Sequence, residues 1–192
     1  MTGIPLNGPV LNQIVPWKVL GEGDSEVTYF DELKRYLETV TFVTDSAKGG
    51  DLANIRRSSE KRVKNGLKIV AMDIDQNSPG ELRQFNDWCG RNNISLLISN
   101  PSFEVWLLMH FKNVSSNMDQ EDLENDLTAA LGRKYEKKKG IRPTRKMISG
   151  AVDRAREKIP RDADPFEYVL THPGNTMMPL LFEIVGEELG IN

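Results

Sequence analysis

The chain has a single cysteine, Cys89, in 192 residues. It can close no intrachain disulfide and build no cysteine zinc site, which fits a reducing compartment. The two histidines, His110 and His172, form no cluster that would hold a soft or borderline metal. No apolar run approaches the roughly 20 residues that a bilayer-spanning helix needs. The basic-then-apolar start of a secretory signal is also missing. A cytoplasmic protein without membrane association is therefore expected. The chain also lacks a strong charge of either sign. Its net charge of −3 exerts no global pull on nucleic acid, so any such binding must come from local patches. Internal repeats are absent. The length suffices for one domain with a full core plus a small appendage.

What is present is an alternation of strand and helix patterns. Residues 1–16, rich in Gly, Pro and Asn, read as an irregular arm. Short apolar or β-branched runs at 17–21, 40–44, 68–72 and 94–98 alternate with helical spacing at 26–39, 51–65 and 79–92. This order predicts an α/β domain over 17–111, with a mostly parallel four-stranded sheet flanked by helices. Beyond residue 112 the pattern turns helical, at 119–131, 144–158 and 176–189. Residues 112–192 are expected to pack on the first part as a helical C-terminal appendage.

Acidic residues mark two of the strand ends. Glu22 follows the apolar run of WKVLGEGDSEVTYF (17–30), and Asp73 and Asp75 end that of LKIVAMDIDQN (67–77). Ligand chemistry in an open α/β sheet collects at the C-terminal ends of strands. Carboxylates converging there repel one another unless a cation holds them. Asp73 and Asp75, two apart, share a face if the strand stays extended. Gly21 and Gly23 allow close backbone approach around Glu22. Glu26, one helical turn further, and Glu104, opening the helix after the fourth strand, can add oxygen ligands. Oxygen donors without histidine favour Mg²⁺ or Mn²⁺ over zinc. Each acid also has a plainer reading as a helix cap or a solvated turn residue, and for Asp24 capping is the better one.

These residues resemble the Toprim arrangement of topoisomerases, primases and several nucleases, with a Glu after a first strand and Asp-x-Asp after a later one. More narrowly, GEGDSEVTYFDELK (21–34), VAMDIDQ (70–76) and SNPSFEVWLLMHF (99–111) are similar to the RloB-like family of defence-associated proteins. A weaker likeness lies in HPGNTMMPLLFEI (172–184), where His172-Pro173-Gly174-Asn175-Thr176 stands in place of an Asn-Pro-Ser-Thr-like helix start. The resemblance implies a Toprim-like fold and a metal-dependent endonuclease acting in antiphage defence beside a separate ATPase. Glu22, Asp73 and Asp75 would be catalytic, and Glu22, Glu26, Asp73, Asp75 and Glu104 would hold Mg²⁺ or Mn²⁺. Oligomeric state is left open, with a homo-oligomer among the options.

Two basic segments are candidates for nucleic-acid contact. The helix at 51–65 carries Arg56, Arg57 and Arg62, and the segment RKYEKKKGIRPTRK (133–146) carries Lys137, Lys138, Lys139, Arg142 and Arg145. Lysine and arginine that neutralise phosphates release counterions, so binding should weaken with salt. Tyr135 is positioned to stack on a base, and Gly140 and Pro143 predict a mobile clamp. Both segments also read as solvated faces. Two other functions compete with the nuclease. One is a haloacid dehalogenase-type phosphotransfer enzyme built on the Asp-x-Asp. The other is a non-catalytic regulatory or adaptor subunit of a defence ATPase complex. His110 reads as a core-edge residue with local hydrogen bonds.

Overall fold

The computed structural model describes residues 15–47, 51–60, 67–74 and 77–190. Asp75, Arg62 and the arm up to residue 14 lie outside them. The elements run β1 (Val15–Gly21), α1 (Asp24–Leu33), a 3-10 turn (Lys34–Tyr36), β2 (Val40–Ser46), α2 (Leu52–Ser59), β3 (Lys68–Asp73), α3 (Pro79–Arg91), β4 (Ile94–Asn100) and α4 (Glu104–Met109). There follow α5 (Gln120–Leu131), α6 (Arg145–Lys158), α7 (Pro165–Thr171), β5 (Asn175–Thr176) and α8 (Pro179–Leu189).

The sheet has the order β2-β1-β3-β4-β5, parallel through its first four strands and antiparallel at β4–β5. The fold is therefore α/β, with a mostly parallel sheet flanked by helices, and it has five strands rather than four. The added strand comes from the region expected to be wholly helical. Gly174 makes it feasible: its φ of +74° suits glycine, and a Cβ there would meet Ser115 O at 2.7 Å. The Gly174 amide donates to Asn100 O at 2.7 Å, and the Thr176 and Ser99 hydroxyls meet at 2.8 Å.

β3 and β4 are almost continuously buried, as parallel strands covered on both faces must be. On one face Tyr29 of α1 packs edge-on to Phe103 and to Trp106 of α4, and Trp106 meets Phe182 of α8 at 5.5 Å. On the other, Arg56 of α2 lies over the rings of Phe85 and Trp88 of α3. The crossover β1-α1-β2 runs one way along the sheet and β3-α3-β4 the other, so the strand order reverses between the adjacent β1 and β3. A crevice at the carboxyl ends of those two strands is where such sheets bind ligands. Among the described residues, no helix is long and apolar enough to cross a membrane.

His110 is buried and contacts Trp106 O through Nδ1 at 3.0 Å and the Tyr29 hydroxyl through Nε2 at 3.1 Å. Burial lowers its pKa from 6.5 to about 4. The unfolded chain takes up this proton as the pH falls through 6.5 and the folded chain only near 4, so the folded state loses stability across that window. The loss reaches roughly 3 kcal/mol at about 1.4 kcal/mol per pH unit. Urea titrations at several pH values should show a flatter acid limb for His110→Phe than for wild type, although the variant is less stable at neutral pH because Tyr29 loses its partner. Parallel limbs would contradict this.

Candidate active site

Glu22 follows the last residue of β1, and its amide donates to Ala71 O of β3 at 3.1 Å. Its carboxylate reaches across the same pair of strands, with Oε2 accepting from the Asp73 amide at 3.1 Å. Asp73, the last residue of β3, accepts from the Phe103 amide through Oδ1 at 2.7 Å. The loop after β4 is thereby docked on the end of β3, and Glu104 starts α4 beside it.

Glu26 comes from α1. Its Oε2 accepts from the Gly23 amide at 3.1 Å, so it caps its own helix as the plainer reading held. Gly21 permits this position, because a Cβ there would meet the Glu26 Cβ at 2.7 Å. Glu104 is 1% exposed, and its Oε1 accepts from the Ser25 hydroxyl at 2.8 Å and the Tyr135 hydroxyl at 2.9 Å. The Lys137 ammonium lies 3.7 Å from the same oxygen.

Electrostatics tie these acids into one group. Burial raises the Asp73 pKa well above the ordinary carboxylate range, and the charges of Glu26, Glu104 and Glu22 raise it further. Burial likewise takes Glu26 from 4.5 to about 7, with Glu104 and Glu22 adding to the rise. Glu104 goes the other way. Burial pushes it up, but Lys137 and the hydroxyls of Ser25, Ser102 and Tyr135 outweigh that and leave it below 4.5. One carboxylate is thus kept ionised by its own partners, while two are held back from ionising first by burial and then by their neighbours. Added positive charge is what would relieve them.

The donors fit a hard divalent cation. They are carboxylate oxygens with no sulfur or imidazole among them. The second Glu104 oxygen, Oε2, and the Ser102 hydroxyl are buried near each other, close enough for the hydroxyl to lower the carboxyl pKa but without a hydrogen bond of full geometry. An orphaned buried carboxylate oxygen costs free energy unless something polar or cationic meets it. Among the described residues, however, no three acidic, histidine or cysteine side chains already stand in metal-ligating geometry. Glu22, Asp73, Glu26 and Glu104 each point one oxygen at an amide or hydroxyl donor, so ligation requires side-chain rotation toward a common centre.

The basic segment departs from expectation. Tyr135 is buried on Glu104 and Ser25 and is not free to stack on a base. The segment is packed down: Gly140, Ile141 and Pro143 are buried, and a Cβ on Gly140 would meet Thr28 Cγ2 of α1 at 2.8 Å. Tyr36 donates to Pro143 O at 2.7 Å, and Arg145 lies over the Tyr36 ring. Lys137 faces the acids and is half exposed, while Lys138, Lys139 and Arg142 are exposed. In α2, Arg57 is exposed, whereas Arg56 is half-buried against the α3 aromatics and belongs to packing. Ser25 is the site residue that sequence reasoning missed, and Tyr135 is one it placed in another role. Ser25 looks like a helix-cap residue, and nothing local ties Tyr135 to a helix thirty residues earlier.

A family model described as RloB-like protein matches residues 18–184. The chain belongs to the RloB-like family. That match spans every acidic residue of the site and the basic segment that packs on it. No curated protein and no solved structure matches the chain.

Proposed function

We infer that this RloB-like protein is a divalent-metal-dependent endonuclease with a Toprim-like core, hydrolysing phosphodiester bonds in DNA or RNA in antiphage defence beside an ATPase partner. The observation that carries this is the meeting of Glu22 and Asp73 at the strand-order reversal, where Glu22 Oε2 lies 3.1 Å from the Asp73 amide. Membership of the RloB-like family supports the defence role.

Glu22, Asp73 and Asp75 would hold Mg²⁺ or Mn²⁺, with Glu26 and Glu104 as further oxygen donors. The bound ion would supply Lewis-acid activation of water and charge stabilisation on the leaving oxygen. The protein supplies the rest. Ser25 and Tyr135 fix the Glu104 carboxylate, and the hydrogen bond from Phe103 fixes that of Asp73. Without a cation Glu26 has a pKa of about 7, and positive charge bound beside it would lower this and favour its ionised form. Lys137 offsets negative charge at the rim and can draw in a phosphate. A phosphotransferase of the haloacid dehalogenase type is less well supported, because Gln76-Asn77-Ser78 follows the second Asp where that pattern has Thr or Val, and β1 with Glu22 precedes the motif.

The test is incubation with single-stranded DNA, duplex DNA, tRNA and unstructured RNA, with Mg²⁺ or Mn²⁺, with and without chelator. Chelator-sensitive strand scission of at least one substrate is expected. Intact substrates under every condition, with the ATPase partner added, would favour the adaptor role instead.

A further inference from the structure

The side of the basic segment facing away from the acids lines a cavity of about 720 Å³, bounded by α1, the end of α5 and the start of α6. Its lining brings Arg133, Lys138, Lys139 and Arg142, together with Glu32, beside Phe111 and Met147, both half-buried. The acids nearby are already matched. Glu32 pairs with Arg35 at 2.8 Å, and Glu136 with Lys139 at 2.7 Å. The Arg133 guanidinium donates to Gly140 O at 2.8 Å, which braces this lining. Among the described residues, Lys138 and Arg142 form no ion pair, so two cationic heads face the opening with their charge uncompensated.

Cationic side chains beside a half-buried aromatic ring match one nucleotide unit, with phosphate on the lysine and arginine heads and base against Phe111. The volume falls in the range of about 300–1,000 Å³ typical of small-molecule sites. Its position links it to the acids. α4 begins at Glu104 and ends at Met109, two residues before Phe111, so one short helix connects the acids to the cavity lining. The basic segment also turns Lys137 toward Glu104 and Lys138 toward the cavity. One strand could therefore occupy both places.

We propose that this cavity receives an unpaired nucleotide of the strand that enters the acidic site, so that the substrate is single-stranded or carries unpaired nucleotides at the point of attack. This deepens the nuclease assignment by naming its substrate class. A base locked in a duplex cannot lie against the half-buried Phe111 ring without leaving its stack, whereas a single strand presents base and phosphate together.

Equilibrium binding separates this from the hydrolase assignment, because it is measured in chelator, where no cleavage occurs. Fluorescence anisotropy with labelled oligothymidylate and oligouridylate, and with a duplex of equal length, is read across a salt series. At least one of the single strands should bind about tenfold or more tightly than the duplex. Lys138→Ala with Arg142→Ala should weaken that binding by about tenfold or more. Its log–log salt dependence should become shallower by about 1.4, at roughly 0.7 per phosphate contact on a single strand. Phe111→Leu should weaken binding without changing the slope. Melting curves confirm that the variants fold. Duplex binding as tight as single-strand binding would overturn the proposal, as would an unchanged affinity in the double charge variant. Displacement by AMP at concentrations equal to the oligonucleotide's own Kd would also overturn it, reassigning the cavity to a free nucleotide. A chain that binds single strands as described yet never cleaves would contradict only the hydrolase assignment.

Discussion

Asp73→Asn is expected to abolish metal-dependent cleavage and at the same time to raise the melting temperature of the metal-free protein. The two effects share a cause. Asp73 sits where burial and the charges of Glu26, Glu104 and Glu22 all oppose its ionisation. A folded-state pKa above the unfolded one means that ionisation destabilises the fold as the pH rises past the unfolded value of about 3.9. The amide removes that penalty, and its oxygen can still accept the hydrogen bond from Phe103 that Asp73 accepts at 2.7 Å. A gain of about 1 kcal/mol corresponds to about 2–4 °C in a chain of this size. It should be present at neutral pH, shrink as the pH falls toward the unfolded value of about 3.9, and vanish about a pH unit below it, where wild-type Asp73 is protonated in both states. Activity should fall by about 10³-fold or more, since a ligand to a catalytic ion is worth several kcal/mol. Calorimetry in chelator and single-turnover cleavage in Mg²⁺ check the two halves. A destabilised variant would mean that Asp73 is an ordinary structural carboxylate.

Tyr135→Phe should lower turnover about 10–100-fold, the usual cost of losing a group that orients a metal ligand, while leaving KM for nucleic acid little changed. The hydroxyl it removes donates to Glu104 Oε1 at 2.9 Å and lies 3.0 Å from the Ser25 hydroxyl. Without it Glu104 keeps Ser25 and Lys137, but its carboxyl moves up in pKa, and the acid limb of the pH–rate profile should shift upward with it. A hydrogen bond to a charged group is worth about 1.5–3 kcal/mol, so the melting temperature should drop by about 5 °C. A Tyr135 that acted by stacking on a base would give a different result, with raised KM and an unmoved pH profile.

Legibility in the sequence varied with the range of the forces involved. The parallel core could be read because each strand is a local apolar or β-branched run, and Ser78-Pro79 with Glu81 announces α3 through a capping box that the structure forms. The Asp164-Pro165 pair that starts α7 carries a similar signal. A helix of only 7 residues leaves too little periodicity to be read from that signal. β5 has two residues and exists only because Gly174 folds the chain back onto Asn100, and no periodicity can register so short an element. Glu22 and Asp73 were legible as acids at strand ends, though their adjacency depends on the strand order, which comes from crossovers and not from local pattern. The role of the 133–146 segment was hidden by its composition. Eight basic residues with Gly140 and Pro143 look like a solvated loop, yet Tyr135 and Ile141 bury themselves and Gly140 presses on Thr28.

The central claim is that Glu22 and Asp73 form a cation-holding centre at the reversal of strand order. The most direct test is a crystal of the protein soaked in Mn²⁺ and measured for anomalous scattering. A peak within ligand distance of the Glu22 and Asp73 carboxylates, lost in Asp73→Asn, is the predicted result. A fully soaked crystal with no peak there, or with Mn²⁺ bound only at other residues, would contradict it.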